Sequence, residues 1–476
     1  MDTCCTAKTR IAALVAVPNV GALPIWTGAG AGGLWSNGGN WSSGVAPGSA
    51  ESPIFGAAGS GLDNIVDRNF AVRGLTYGAN STHRTLIGLG NVLQVKGLTS
   101  IGSGSPVDGA GVTWGGGGSV TLGASGAAQG LWVGVNNSAA AAGTTTGRLN
   151  LESVSVGGFF GNLSIGRKTS QSNLGSYAGG ANGSLVLGSN STLTVGTAAS
   201  RAAVSIGQNE QSAGAVSGVL DVRQGNFTAF ASDFNVGAII GGTSAGHTTG
   251  TIFTGARTTI DAVTILIGNG ANSEGRFNLE AGTVSASTIT VASGGTFKFT
   301  GGCLNVGTFN GTVSQLGGVL SPGLAGTALN TLNNGYLLST GGTLEIDLKG
   351  IAAGSGYDKL IVKGAVDLNA DHGVGASLDL HMGYAGHVGE TYIVIDNDGN
   401  DAVLGTFIGI AQGGQTQAVF GHDRYTFAVS YVGGTGNDVT LQLTGIQPVP
   451  EPMSWALWIC GLAGLGAFKL RRGRAH

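Results

Sequence analysis

Leu163-Ser164-Ile165-Gly166, a polar stretch, then Ser184-Leu185-Val186-Leu187 is one copy of a phrase pair that recurs through the middle of the chain. The first phrase, hydrophobic-x-hydrophobic-Gly, returns as Leu131-Trp132-Val133-Gly134, Val204-Ser205-Ile206-Gly207, Phe234-Asn235-Val236-Gly237 and Ile265-Leu266-Ile267-Gly268. Its glycines are spaced 32, 41, 30 and 31 residues apart. The partner phrase returns as Arg148-Leu149-Asn150-Leu151, Val219-Leu220-Asp221-Val222, Thr251-Ile252-Phe253-Thr254 and Arg276-Phe277-Asn278-Leu279, each just after a glycine. Short alternating runs closed by glycine, with no helical spacing, read as strands of an all-β repeat protein. The expected architecture is a right-handed parallel β-helix, with inward Val, Ile and Leu forming one long core and Gly and Asn turning the corners. Coils of about 20 residues, stacked about 4.8 Å apart, would put about 12 coils in residues 76–320 and make each repeat about one and a half coils. A propeller fits less well, because its blades need about four strands per 40–50 residues.

Composition agrees with a turn-rich β protein. Of 476 residues, 91 are glycine, only 10% are charged and 42% are hydrophobic, a balance that argues against disorder. The net charge of −3 gives no basic surface for nucleic acid, so no nucleic-acid partner is expected. Four cysteines occur, at 4, 5, 303 and 460, so the body of the chain holds Cys303 alone and no internal disulfide framework. Lys8, Arg10 and a seven-residue apolar run from position 11 make residues 1–24 an atypical leader.

The flanks of the repeat differ from it. Ile25-Trp26-Thr27-Gly28, Leu34-Trp35-Ser36-Asn37 and Asn40-Trp41 place three of the seven tryptophans close together. Trp26, Trp35 and Trp41 read either as a stacking platform for glycan rings or as an aromatic plug over the open end of the β-helix. Residues 25–75 are therefore taken as an N-terminal cap, and 76–320 as the repeat. Residues 321–445 carry more charge and strictly alternating strands such as Leu344-Glu345-Ile346-Asp347-Leu348-Lys349, each with one wet face. The tryptophan series resembles the start of autotransporter-associated β-strand repeat passengers. Ser321-Pro322-Gly323, Tyr357-Asp358-Lys359-Leu360, Asp396-Asn397-Asp398-Gly399, Gly405-Thr406-Phe407 and the run from Gly433 to Val439 resemble the passengers' C-terminal end. The resemblance implies a β-helical passenger and transfers no catalytic residue. It departs at one point: a sorting tail stands where autotransporters continue into a membrane barrel.

That tail occupies residues 446–476. Pro450-Glu451-Pro452 is followed by a 16-residue apolar run and then Lys469-Leu470-Arg471-Arg472. The run would make a transmembrane helix of roughly 24 Å against a hydrocarbon core of about 30 Å, with the arginines on the cytoplasmic side. Pro450, Glu451, Pro452, Arg471 and Arg472 resemble the PEP-CTERM sorting signal of Gram-negative bacteria. The resemblance implies processing by an exosortase, transient residence in the inner membrane, and delivery to the cell surface or extracellular matrix alongside exopolysaccharide.

Chemical motifs are sparse. Gly433-Gly434-Thr435-Gly436-Asn437-Asp438 begins like a calcium-binding nonapeptide, and Asp396-Asn397-Asp398-Gly399-Asn400-Asp401 is the densest acidic cluster. Asp396, Asp398 and Asp438 are thus the candidate calcium ligands, although single copies of each motif favour plain turns and no cofactor is expected. His372, His381, His387 and His422 match no zinc frame. A polysaccharide lyase or hydrolase would need paired carboxylates, for which Asp221 and Asp233 are the best candidates. Such an enzyme and a self-assembling fibre subunit are the alternatives. The reading preferred is a non-enzymatic structural or adhesive protein that associates with exopolysaccharide, other surface glycans or copies of itself.

Overall fold

A computed structural model describes residues 23–103, 108–137, 143–169, 179–210, 213–240, 246–324 and 326–449. The sorting tail with Pro450, Glu451, Pro452, Arg471 and Arg472, its expected transmembrane helix, and nearly all of the leader lie outside these residues. The described residues are all-β, with 34 strands and two single-turn 3-10 segments. No described helix is long and apolar enough to cross a membrane. Contacts divide the chain into two units, one ending at Gly318 and the other beginning at Val319.

In the first unit each strand pairs in parallel with the strand one coil away, as in a β-helix. The strands form three ladders. On the first face Phe55, Tyr77, Ile101, Val133, Ile165, Ile206, Val236 and Ile267 lie in one register row, every one fully buried. The second face stacks His83, Val112, Leu149, Leu185, Leu220, Ile252 and Phe277 in the same manner. The third stacks Phe70, Leu93, Val120, Val156, Leu193 and Phe227. Period-2 alternation aims these side chains inward and leaves their neighbours outside. These stacked apolar rows hold the coils together. His83 is the polar exception: burial pushes its imidazole pKa down, Nε2 lies 2.9 Å from the Gly56 carbonyl, and Nδ1 has no partner.

The register corrects the expected coil length. Val133 pairs with Ile165, and Ile165 with Ile206, so one sequence repeat is one coil, not one and a half. Coils lengthen from 22 residues between Phe55 and Tyr77 to 41 between Ile165 and Ile206, then shorten to 20 between Thr290 and Asn310. The strands of the 41-residue coil are only 9, 8 and 4 residues long. The extra length lies between strands, as between Val195 and Ala202, where the chain leaves the third face and returns to the first. Loop-closure entropy grows only slowly with length, so such connections vary at little cost.

The glycine that ends each first phrase has a structural cause. Gly134, Gly166, Gly207, Gly237 and Gly268 all have φ between +61° and +67°, the left-handed region. At Gly166 an added Cβ would lie 1.8 Å from the Ser217 carbonyl oxygen. The opposing glycine is equally constrained: a Cβ on Gly183 would lie 2.1 Å from the Gly166 nitrogen. Two backbones touch at this corner, which is why both phrases carry a glycine.

In the second unit pairing begins parallel, with Leu329–Leu332 against Lys359–Val362 and Gly342–Leu348 against Ser377–Met382. It then turns antiparallel through Thr391–Asn397, Gln415–Phe420, Asp423–Gly433 and Asp438–Pro448. The expected wet face of residues 344–349 is wet only in part. Asp347 is buried, held by Lys349 at 2.8 Å, and its backbone N–H donates to the fully buried Asp358. Burial pushes the Asp358 carboxyl up to about 7.

Candidate functional site

Trp26, Trp35 and Trp41 are 0%, 0% and 3% exposed, which excludes the glycan platform, since stacking needs an open ring face. They pack around Phe55, with ring centroids 5.6, 5.6 and 5.8 Å away, and so cover the first inward residue of the first face. Trp35 Nε1 donates to Asn64 Oδ1 and Trp41 Nε1 to the Trp35 carbonyl, each at 2.9 Å. Bridges from Ile25 to Ile54 and from Leu34 to Ile65 tie this segment to the first coil.

Each candidate calcium ligand has a protein partner. Asp396 pairs with Lys359 at 2.7 Å, and Asp398 accepts the Gly364 N–H at 3.3 Å. Asp438 is 1% exposed and accepts the N–H groups of Asn397 and Thr435, both at 3.0 Å. The two loops do meet, but as a clasp. The Asn437 amide donates to the carbonyls of Asn397, Gly399 and Asp401, oxygens a cation would otherwise need. Among the described residues the one carboxylate–histidine group of metal-binding compactness is Glu345, Asp379 and His381, on neighbouring parallel strands. Its members have other partners: Glu345 accepts the Ser321 hydroxyl at 2.6 Å, and His381 lies 3.5 Å from both Asp347 and Asp379.

Asp221 and Asp233, the carboxylates an enzyme would have needed as a pair, lie in different ladders. Asp221 is in register with Phe253 on the second face, and Asp233 with Thr264 on the first. Arg223 grips Asp221 with two nitrogens at 2.6 and 3.0 Å, a hydrogen bond that holds its carboxyl below the usual range despite burial. Asp233 accepts the Thr264 hydroxyl at 3.0 Å.

A different place, on the outside of the second face, gathers recognition groups. Here the outward rows read Asp63–Arg84–Thr113–Asn150 and, beside it, Thr82–Gly111–Arg148. They line a groove of about 380 Å³, at the small end of the roughly 300–1,000 Å³ typical of ligand sites. Its depth has a cause in the sequence. Gly111 stands in register between Thr82 and Arg148, and its missing side chain leaves a gap in the row. Arg84 is neutralised by Asp63 at 3.1 Å, with both half exposed. Arg148 is exposed and has no ion-pair or hydrogen-bond partner among the described residues. Thr82 and Thr113 bring hydroxyls and Asn150 an amide. Every one of these groups stands on a strand, so the backbone ladder sets their spacing.

Arg148 and Asn150 belong to a phrase visible in the sequence, as its two outward positions. Gly111 and Thr113 sit in Gly109-Ala110-Gly111-Val112-Thr113-Trp114, whose alternation marks them outward as well. What the sequence lacks is the register that puts Gly111 beside Arg148. No known protein family, no curated protein and no solved structure matches the chain.

Proposed function

We propose that the chain is an exported, non-enzymatic structural or adhesive protein of a bacterial surface or extracellular matrix, and that its coils hold exopolysaccharide. The observation that carries this reading is the groove on the second face, where hydroxyl, amide, carboxylate and guanidinium groups stand at fixed places on a sheet. Successive coils advance about 4.8 Å along the stack, close to the advance of one sugar ring along an extended glycan. Binding at one groove is weak, and many chains on one polymer make it firm by multivalency. The coil is taken as right-handed, the hand of about 98% of parallel crossovers. The tail from Pro450 directs sorting by an exosortase in this reading, with a transient stay in the inner membrane.

The test is retention of the full-length protein on the native exopolysaccharide of the producing cell. Wild type is retained, while Gly111→Trp, which fills the groove, elutes early with an unchanged circular dichroism spectrum. Equal retention of both proteins, or none of either, contradicts the reading. Self-association is the second reading, favoured by the strand Gln415–Phe420. Among the described residues it pairs on one side only, with Asp423–Gly433, and Val419 is 56% exposed.

A further inference from the structure

We infer that the groove selects glycans bearing carboxylates, as in uronic acid residues. Arg148 reads the charge, and Gly111 admits the sugar ring beside it. This rests on the glycan reading above and specifies its ligand.

Of the two arginines that line the groove, Arg148 alone faces no carboxylate among the described residues. Arg84, Arg167, Arg201, Arg223 and Arg276 each face a carboxylate, at 3.1, 2.5, 3.0, 2.6 and 2.9 Å. Arg148 faces none among the described residues, yet it stands on a strand at the wall of a groove. A chain of net charge −3 that pairs its other groove cation and leaves this one open has a local positive site on an otherwise weakly acidic molecule. With Asp63 and Arg84 cancelling, Arg148 gives the groove a formal charge of +1. Guanidinium presents a planar fork of donors matched to a carboxylate, which a neutral sugar hydroxyl cannot use in full.

The neighbouring row supplies the space. Thr82, Gly111 and Arg148 occupy successive coils in one register. Even a methyl group on Gly111 would come 3.3 Å from Thr82 Cγ2, so any larger side chain would fill the gap. A ring seated over the bare Gly111 backbone has the Arg148 guanidinium on one side and the Thr82 side chain on the other. Thr113 and Asn150, in the second row, are placed for the ring hydroxyls. Single open Arg, open floor and flanking hydroxyls fit an acidic sugar better than a phosphate, which draws on several cations at once.

The experiment measures binding of the full-length protein to oligogalacturonate, to its methyl ester and to neutral dextran, by calorimetry at low and physiological salt. Oligogalacturonate is expected to bind at least tenfold more tightly than the ester, with the preference shrinking as salt rises. Arg148→Gln should erase that preference while leaving the melting temperature within a degree or two, since the side chain is exposed. Arg148→Lys should restore part of it. If acid and ester bind equally, or Arg148→Gln keeps the preference, the carboxylate assignment is wrong although the glycan reading stands. If native exopolysaccharide is not retained and no probe binds, the glycan reading itself has failed.

Discussion

Gly166 shows how far one residue can fix this architecture. Its φ of +61° is strained for any residue with a Cβ, and that Cβ would collide with a backbone oxygen, which cannot rotate away. Left-handed strain and overpacking each contribute about 1–3 kcal/mol. Gly166→Ala should therefore lose about 2–6 kcal/mol in urea unfolding. Gly421→Ala, with φ +62° and nothing within 4 Å of the new atom, serves as the comparison and should lose less. Equal losses would mean that the corner contact is unimportant. The repeat glycines were plain in the sequence, but their reason was not. The strain is local to the residue, whereas the collision is with a backbone in the next coil. At the same scale, Asn437 and Asp438 turn their donors and acceptors on a second loop that sequence spacing cannot bring near.

At the scale of elements, the strand phrases and their alternation were legible, because a buried ladder demands an apolar residue at every second position. Coil length was not. Hydrophobic period reports on strands, while the corners between them range freely from one coil to the next. The groove escaped for the same reason: Gly111 and Arg148 become neighbours only once the register is known. The aromatic cap could be read two ways from its tryptophans alone, and burial separates them. Trp35 is fully buried, stacks near Trp41 and Phe55, and donates to Asn64. Trp35→Ala should cost about 3–5 kcal/mol in chemical denaturation, as expected for a large aromatic removed from a core. Under conditions where the variant remains folded, its retention on exopolysaccharide should be unchanged. A folded variant that loses glycan retention would restore the platform reading for the cap.

Across the whole molecule, stability and recognition occupy opposite sides of the same strands. In the first unit inward positions form apolar rows, broken at His83, and outward positions are free to vary. A groove can therefore be cut by a single glycine without disturbing the core, since Gly111 faces out while Ala110 and Val112 face in. This division suits a protein whose service is to persist outside the cell and hold polymer. The most direct measurement is arginine footprinting of the full-length protein with phenylglyoxal, read by mass spectrometry, with and without native exopolysaccharide. Arg148 should be modified readily in the free protein and protected by the polymer, whereas Arg276, 61% exposed and paired with Glu274, should be unaffected by it. Modification of Arg148 to the same extent with and without polymer would contradict the assignment of the groove as the glycan site.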